Sequence, residues 1–519
     1  MRWQRSDGRG GSPNCLSSAV EANSIESPGE TSTLVLGVLC FVALASRIVA
    51  VYLLPNAEQD GYSYAEIIAG LTTKFESGQF HPSDLYGFWL PLFQVAAAVL
   101  NIWLHQPIVA GKIINLGCGA VSVVLVFAIT RRITASLPAS ILAFGLILLN
   151  PLHLLYSAAC MTDVPHVCVV LASLWYAMRR RWLIAAGFGA LGECLRVESW
   201  ALIVALPVIQ LICERRISRN MLGILISPLV GWLLIAWVAT GDPLAYFHER
   251  SRYHAEYLQF HPERHGFDWH VIAGDSKYFL LGAGRTIFAG STLAAGIAAI
   301  RWIQSRKPID CSLLAPMVFS FSMLGLIFLA YFTKAQPVLL PRYGLVFFAL
   351  GLPLFAWALQ WVLELAKSRV LNAAIVIAVV GGCLIDAHHQ WPTLGKVRDD
   401  FRAHQQIAAA LVTSLKELSP GARCFSDDVA VRVLSDLPPE RLLRSAVVPP
   451  VATANGDGFL SWLRSQNAAY LVFFPTEDSL PAKFFPELAR TGEISGGKFE
   501  LLRFAHSSFG PSVWLYRVR

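Results

Sequence analysis

The stretch TLVLGVLCFVALASRIVAVYLLPNAEQDGYSY, residues 33 to 64, runs from a long apolar segment straight into a pair of acids. Residues 33 to 54 are long and apolar enough to be a membrane span. Arg2, Arg5 and Arg9 lie upstream of it, and the bias of cytoplasmic segments toward positive charge puts the N-terminus in the cytoplasm. Glu58 and Asp60 then emerge on the outer face, at the rim of the bilayer. An acid there is costly to desolvate, so it serves either as a helix cap or in chemistry.

Composition agrees with this reading. The 519-residue chain is 55% hydrophobic and only 15% charged, with a mean hydropathy of +0.51, the balance of an integral membrane protein. The net charge of +7 comes largely from arginines in short loops between apolar runs, which is a topology signal and does not imply a nucleic-acid partner. Most of the ten cysteines, among them Cys40, Cys118, Cys168, Cys194, Cys213 and Cys383, sit inside apolar runs without metal or disulfide spacing, and read as small buried hydrophobes. Residues 1–31 are polar and read as a disordered cytoplasmic tail, with no cleavable signal before the first span.

The arginines set the topology. The runs 87–104 and 107–130 are separated only by His105, Gln106 and Pro107, and if both crossed the bilayer the later arginine loops would invert. The first of them is therefore expected to be interfacial on the outer face. Arg131 and Arg132, Arg179 to Arg181, Arg215, Arg216 and Arg219, Arg301, Arg306 and Lys307, and Lys367 and Arg369 then all face the cytoplasm. The run 182–212 is too long for one span and is bounded by arginines at both ends, so it predicts a hairpin from the cytoplasm with Glu193, Arg196 and Glu198 at its outer apex. Further spans are expected near 221–240, 278–302, 312–332, 343–364 and 370–386, about eleven membrane segments in all.

Beyond Asp386 the composition becomes that of a soluble domain. A helix over 401–418 and strands over 468–474, 499–504 and 513–518 predict a small α/β unit on the outer face. The expected division is a tail (1–31), an α-helical polytopic membrane domain (32–386) and a C-terminal α/β domain (387–519). The chain shows no internal repeat of the kind that builds many secondary transporters.

Unusual residues concentrate in the outward segments. Asp60 and Tyr64 stand four apart and share one face if a helix begins there; the alternative for Asp60 is an N-cap. Asp163, in Met-Thr-Asp-Val-Pro-His, is either a pocket acid or the start of a helix with proline in its first turn. Arg196 and Glu198 either shape a pocket or neutralise each other at the hairpin apex. Arg342, in Leu-Pro-Arg-Tyr, runs against the positive-inside bias and calls for an anion; a lipid phosphate suits guanidinium geometry, with Lys334 as a second cation, and snorkelling is the alternative. The outer stretch 242–270 carries His248, His254, His261, His265 and His270 with Arg250, Arg252 and aromatics, material for a substrate cleft but without zinc-protease spacing.

These elements in this order resemble the polyprenyl-phosphate-sugar-dependent membrane glycosyltransferases of the GT-C fold, the group that includes protein O-mannosyltransferases and lipid A aminoarabinose transferases. The likeness runs from residue 33 to about 365: Asp60-Gly-Tyr-Ser-Tyr-Ala in the first outer loop, Trp89-Leu-Pro-Leu-Phe93 in the interfacial segment, the turn from Ser157 to Asp163, and Arg342-Tyr343. Gly61 stands where the family often has a second acid, so both Glu58 and Asp60 are candidates for the catalytic acid. The resemblance implies inverting transfer of a sugar from a polyprenyl-phosphate donor to an acceptor hydroxyl on a lipid, glycan or protein. Asp60 is then the base, Arg342 and Lys334 hold the phosphate, and Asp163, Arg196, Glu198, Tyr64 and Tyr343 bind substrate. Some relatives use a divalent metal (Mg or Mn), for which this sequence offers few convergent carboxylates. The expected location is the bacterial inner membrane, with the endoplasmic reticulum as the alternative. The rival classes are a transporter or lipid flippase, whose ionisable residues would line a route through the membrane, and a membrane-anchored protein whose C-terminal domain does the work.

Overall fold

The computed structural model describes residues 33–519 apart from 262–263, 265, 267, 306–309, 337, 367, 419–420, 454, 477–478, 492–497 and 509. The stretch 1–31 and His265, Arg306, Lys307 and Lys367 thus lie outside the described residues. Apolar segments in lipid must bond their own backbone, and here they do so as helices. In chain order these are α1 (Thr33–Leu53), α2 (Glu58–Glu76), α3 (Leu92–Leu104), α4 (Pro107–Thr134), α5 (Leu137–Leu148), α6 (Pro151–Ser157), α7 (Asp163–Met178), α8 (Trp182–Glu193), α9 (Leu202–Glu214), α10 (Arg219–Thr240), α11 (Ala245–Phe260), α12 (Trp269–Ala283), α13 (Arg285–Ser305), α14 (Cys311–Phe332), α15 (Pro341–Leu365) and α16 (Arg369–Lys416).

Among the described residues seven helical segments are long and apolar enough to cross a bilayer, and the bent pairs α5–α6 (60°) and α12–α13 (87°) raise this to nine. The expected count of about eleven is reached only by adding α7 and α8. Their 16 and 12 residues rise only about 24 and 18 Å, short of a hydrocarbon core of roughly 30 Å. The expected span 278–302 is likewise not one helix: it breaks at Gly284, whose φ of +70° suits glycine. The run 87–104, expected to be interfacial, contains the 13-residue α3. The hairpin appears as α8 and α9 joined by a 3-10 turn over Val197–Ala201.

Each break leaves backbone groups that need partners at membrane depth. Arg47, fully buried in α1, donates to the carbonyls of Ile147 (3.2 Å) and Leu148 (2.9 Å) at the end of α5, and its Nη2 lies 2.7 Å from His153 Nδ1. Two side chains of α16 serve the other break: Gln390 donates to Leu281 O (2.5 Å), and Asp386 accepts from Thr286 N (2.8 Å). Around these joints α15 forms the centre of the bundle, with every residue from Gly344 to Ala356 buried. Leu34, Phe41, Val238 and Ile377, on α1, α10 and α16, face outward as lipid-facing side chains do.

The bundle has two chemically different ends. Arg132 donates to Met178 O, Trp182 Nε1 to Glu214 Oε1, and Cys311 Sγ to Ala177 O, which gathers the arginine-rich ends of α4, α7, α8, α9 and α14 together. The opposite end presents α2, the starts of α7 and α15, and the hairpin apex.

The C-terminal domain is built on a five-stranded mixed sheet of β1 (Arg423–Ser426), β2 (Leu442–Leu443), β3 (Ala468–Phe473), β4 (Phe499–Ala505) and β5 (Val513–Val518), in the order β2-β1-β3-β5-β4. β1 runs parallel to β2 and β3, whereas β5 is antiparallel to β3 and β4. The two-residue period sends Leu471 and Phe473 to one core with Phe459, and Tyr470 and Val472 to the other with Leu411 and Leu415 of α16. The expected strands over 468–474, 499–504 and 513–518 correspond to β3, β4 and β5. α16 runs unbroken for 48 residues through the boundary expected at 386–387, and becomes one layer of the domain.

Candidate active site

The site begins where α2 does. Ala57 precedes the helix with extended backbone and offers no side-chain cap, and Glu58 follows at φ +57°, a left-handed conformation that costs about 1–2 kcal/mol for an L-residue. Asp60 is therefore not an N-cap. Gly61 packs tightly on its neighbour: a Cβ there would sit 3.0 Å from the side-chain amide of Asn56, whose oxygen is held by Cys160 N at 2.7 Å.

Arg342 comes from the first turn of α15, which has Pro341 at its start and no side-chain cap. Its Nη1 meets Glu58 Oε2 at 2.7 Å and its Nη2 meets Asp60 Oδ2 at 2.7 Å, so one guanidinium bridges both acids of the first loop. Tyr156 donates to the other Glu58 oxygen at 2.5 Å. Burial pushes the Glu58 carboxyl above the usual carboxylate range; Arg342 opposes this, and the Asp60 charge adds to it. Glu58 lies behind the chamber wall, whereas Asp60 is on it.

A second guanidinium, Arg196 at the hairpin apex, is held by Glu198, the acid expected to pair with it, and by Asp163, whose part in this pair the sequence did not suggest. It reaches Asp163 Oδ1 at 2.7 Å and grips Glu198 with Nη2 (2.7 Å) and Nε (3.2 Å). Asp163 also opens α7, where the Thr-Asp-Val-Pro sequence predicted a helix start. Asn115 gathers the carbonyls of Tyr156, Ala159 and Met161, fixing the turn that delivers it. The Tyr343 ring lies between the clusters, 5.3 Å from the Arg196 guanidinium and 5.8 Å from that of Arg342. Tyr64 bonds Thr162 (3.3 Å) and packs on Trp89 and Phe93.

These groups line one chamber of about 330 Å³. Asp60, Tyr64, Asp163, Arg196, Glu198, Arg342 and Tyr343 all reach it, and Phe88, Trp89, Trp200, Tyr246 and Phe247 give it an aromatic wall. Lys334 does not: it follows α14 at φ +60°, with its ammonium 5.8 Å from the Tyr331 ring, outside the lining.

Arg250, named in the sequence only as part of the histidine-rich stretch that could line a cleft, is the chamber's third guanidinium. It lines the chamber, donates to Tyr246 OH (3.0 Å) and Gln336 Oε1 (3.2 Å), and lies 5.1 Å over the Phe88 ring. No carboxylate of the described residues stands within ion-pair distance of it. The signal was present in the histidine-rich stretch: Tyr246, Arg250 and His254 recur every four residues, one face of α11. Of the histidines, His254 lines the chamber and His248 pairs with Asp242 (2.8 Å). Among the described residues no three His, Cys, Asp or Glu side chains are placed to hold a metal ion. Glu58 and Asp60 share a guanidinium instead.

Fold and chamber together define a polytopic helical membrane protein of GT-C-like architecture with a small β-containing C-terminal domain. The solved structures it resembles include ArnT from Cupriavidus metallidurans bound to undecaprenyl phosphate, at a TM-score of 0.53 and 15% identity. The apo state of the same protein gives a TM-score of 0.55 and 14% identity, and each match covers 93% of this chain and 98% of ArnT. No protein-family model and no curated protein matches the chain, so the likeness is one of fold.

Proposed function

We propose that the chain is an inverting glycosyltransferase that moves a sugar from a polyprenyl-phosphate donor to an acceptor hydroxyl on the outer face of a bacterial inner membrane. The observation that carries this is a carboxylate, Asp60, and a guanidinium, Arg250, on the walls of one chamber, the latter with no carboxylate of the described residues at ion-pair distance. The fold shared with ArnT, whose structure holds undecaprenyl phosphate, supports a donor of that chemistry. The arginine-rich ends lie opposite the chamber, which favours the outer face.

A hydroxyl is a poor nucleophile until a base takes its proton. Asp60 accepts the acceptor's proton as the oxygen bonds to the anomeric carbon, and the bond from that carbon to the phosphate oxygen breaks from the opposite side. The leaving polyprenyl phosphate gains negative charge, and a fixed cation in a largely dry site stabilises it. Arg250 takes that part because, among the described residues, no acid stands at ion-pair distance from it. Arg342 is committed to Glu58 and Asp60 and orients the base; Asp163, Arg196, Glu198, Tyr64 and Tyr343 shape the walls.

Asp60→Asn, inserted normally in the membrane, is expected to lose transfer from lipid-linked sugars by roughly 100-fold or more; undiminished turnover refutes the assignment. Arg250→Ala is expected to raise the donor KM and lower kcat together, by roughly 10–100-fold in kcat/KM, as read in steady-state assays with a varied donor.

A further inference from the structure

The helix that carries Asp60 has a second polar face, turned away from the chamber. Gln59, the residue beside Asp60, accepts from Ala430 N (3.3 Å) and donates to Asp428 Oδ1 (3.4 Å), and its amide lies 3.0 Å from His404 Nε2. Two turns on, Glu66 is gripped by Arg432 through Nε (3.2 Å) and Nη2 (3.0 Å). All these partners belong to the C-terminal domain. Arg432 is anchored in turn, its Nη1 donating to Ser426 O (2.9 Å) at the end of β1, and His404 Nε2 stands 3.1 Å from Asp428 Oδ2.

The start of α2 needs such support. It has no side-chain cap, and its first residue is left-handed, so local sequence does not hold it in place. The domain meets it on the side opposite Arg342 and fixes both the rotation and the height of the helix. We propose that the C-terminal domain is part of the transfer machinery, with Arg432 and Asp428 as positioning residues that set Asp60 in the chamber through Glu66 and Gln59. This rests on the transferase reading above.

The test compares wild type with Glu66→Ala, Arg432→Ala and Arg432→Lys in the full membrane-inserted chain. One readout is steady-state transfer from polyprenyl-phosphate sugars; the other is hydrogen exchange of the backbone amides of 58–66. Misplacing a base without removing it lowers turnover while leaving donor binding, so kcat is expected to fall roughly 10–100-fold in both alanine variants with little change in donor KM. Arg432→Lys, which keeps the charge, recovers part of it. Amides 58–66 exchange faster than in wild type while those of β3 and β5 keep their protection. Unchanged turnover or unchanged exchange in Glu66→Ala, whose substitution leaves the domain interior intact, overturns the proposal. If wild type transfers no sugar, the transferase reading falls, and the exchange comparison alone still decides whether the domain holds the helix.

Discussion

Glu58 and Asp60 are two residues apart yet occupy different worlds. Asp60 opens to the chamber, while Glu58 is walled in by Tyr156 and Arg342. A carboxyl whose pKa is raised on folding binds its proton more tightly in the native state than in the unfolded chain. Between the ordinary carboxylate value and the raised one, stability therefore falls as pH rises. Glu58→Gln, which has no proton to lose, is expected to flatten that slope in thermal unfolding measured across the weakly acidic range; an identical slope in both proteins shows that Glu58 does not titrate there. The same pair shows what could be read from the sequence. Asp60, Asp163, Arg196, Glu198 and Arg342 stood out because each interrupts an apolar run, where a charge needs a reason. That Arg342 would bridge Glu58 and Asp60, 284 residues from the first of them, follows only from tertiary packing.

Among the elements, α12 and α15 cross with almost no space between their backbones. A Cβ at Gly344 would fall 2.5 Å from Phe279 O and 2.7 Å from the carbonyl carbon of Gly282. Gly351, seven residues on, faces side chains instead, with Ile287 Cγ2 at 3.2 Å. Backbone cannot step aside as a side chain can. Gly344→Ala is thus expected to cost about 1–3 kcal/mol and to shift Arg342 and Tyr343, with a lower thermal midpoint and reduced transfer. Gly351→Ala should cost distinctly less in the same measurement. Helix existence and the hairpin were legible from hydropathy and arginine spacing. The breaks at Asn150 and Gly284 were not, because Arg47, Asp386 and Gln390, which satisfy the freed backbone, act on elements roughly a hundred or more residues away. β1 and β2, of 4 and 2 residues, are too short to show an alternating pattern.

For the molecule as a whole, the joint between bundle and domain is a helix, not a linker. Composition alone suggested a division near residue 386, and the change from lipid-facing to sheet-packing residues does lie along α16, which stays helical through it with Pro392 inside. Seven residues of helix-forming sequence inserted between Gly395 and Lys396 would keep the facing of α16 nearly constant and lift the sheet by about 10 Å. Such a chain is expected to insert and fold, yet to lose transfer and the protection of α2, because Arg432 no longer reaches Glu66. Transfer at the wild-type rate shows that the domain's position is immaterial.

The unbroken α16 also acts as a ruler. By setting how far the sheet stands from the bundle, it fixes the height at which Arg432 meets Glu66 on α2, the helix whose Asp60 faces the chamber.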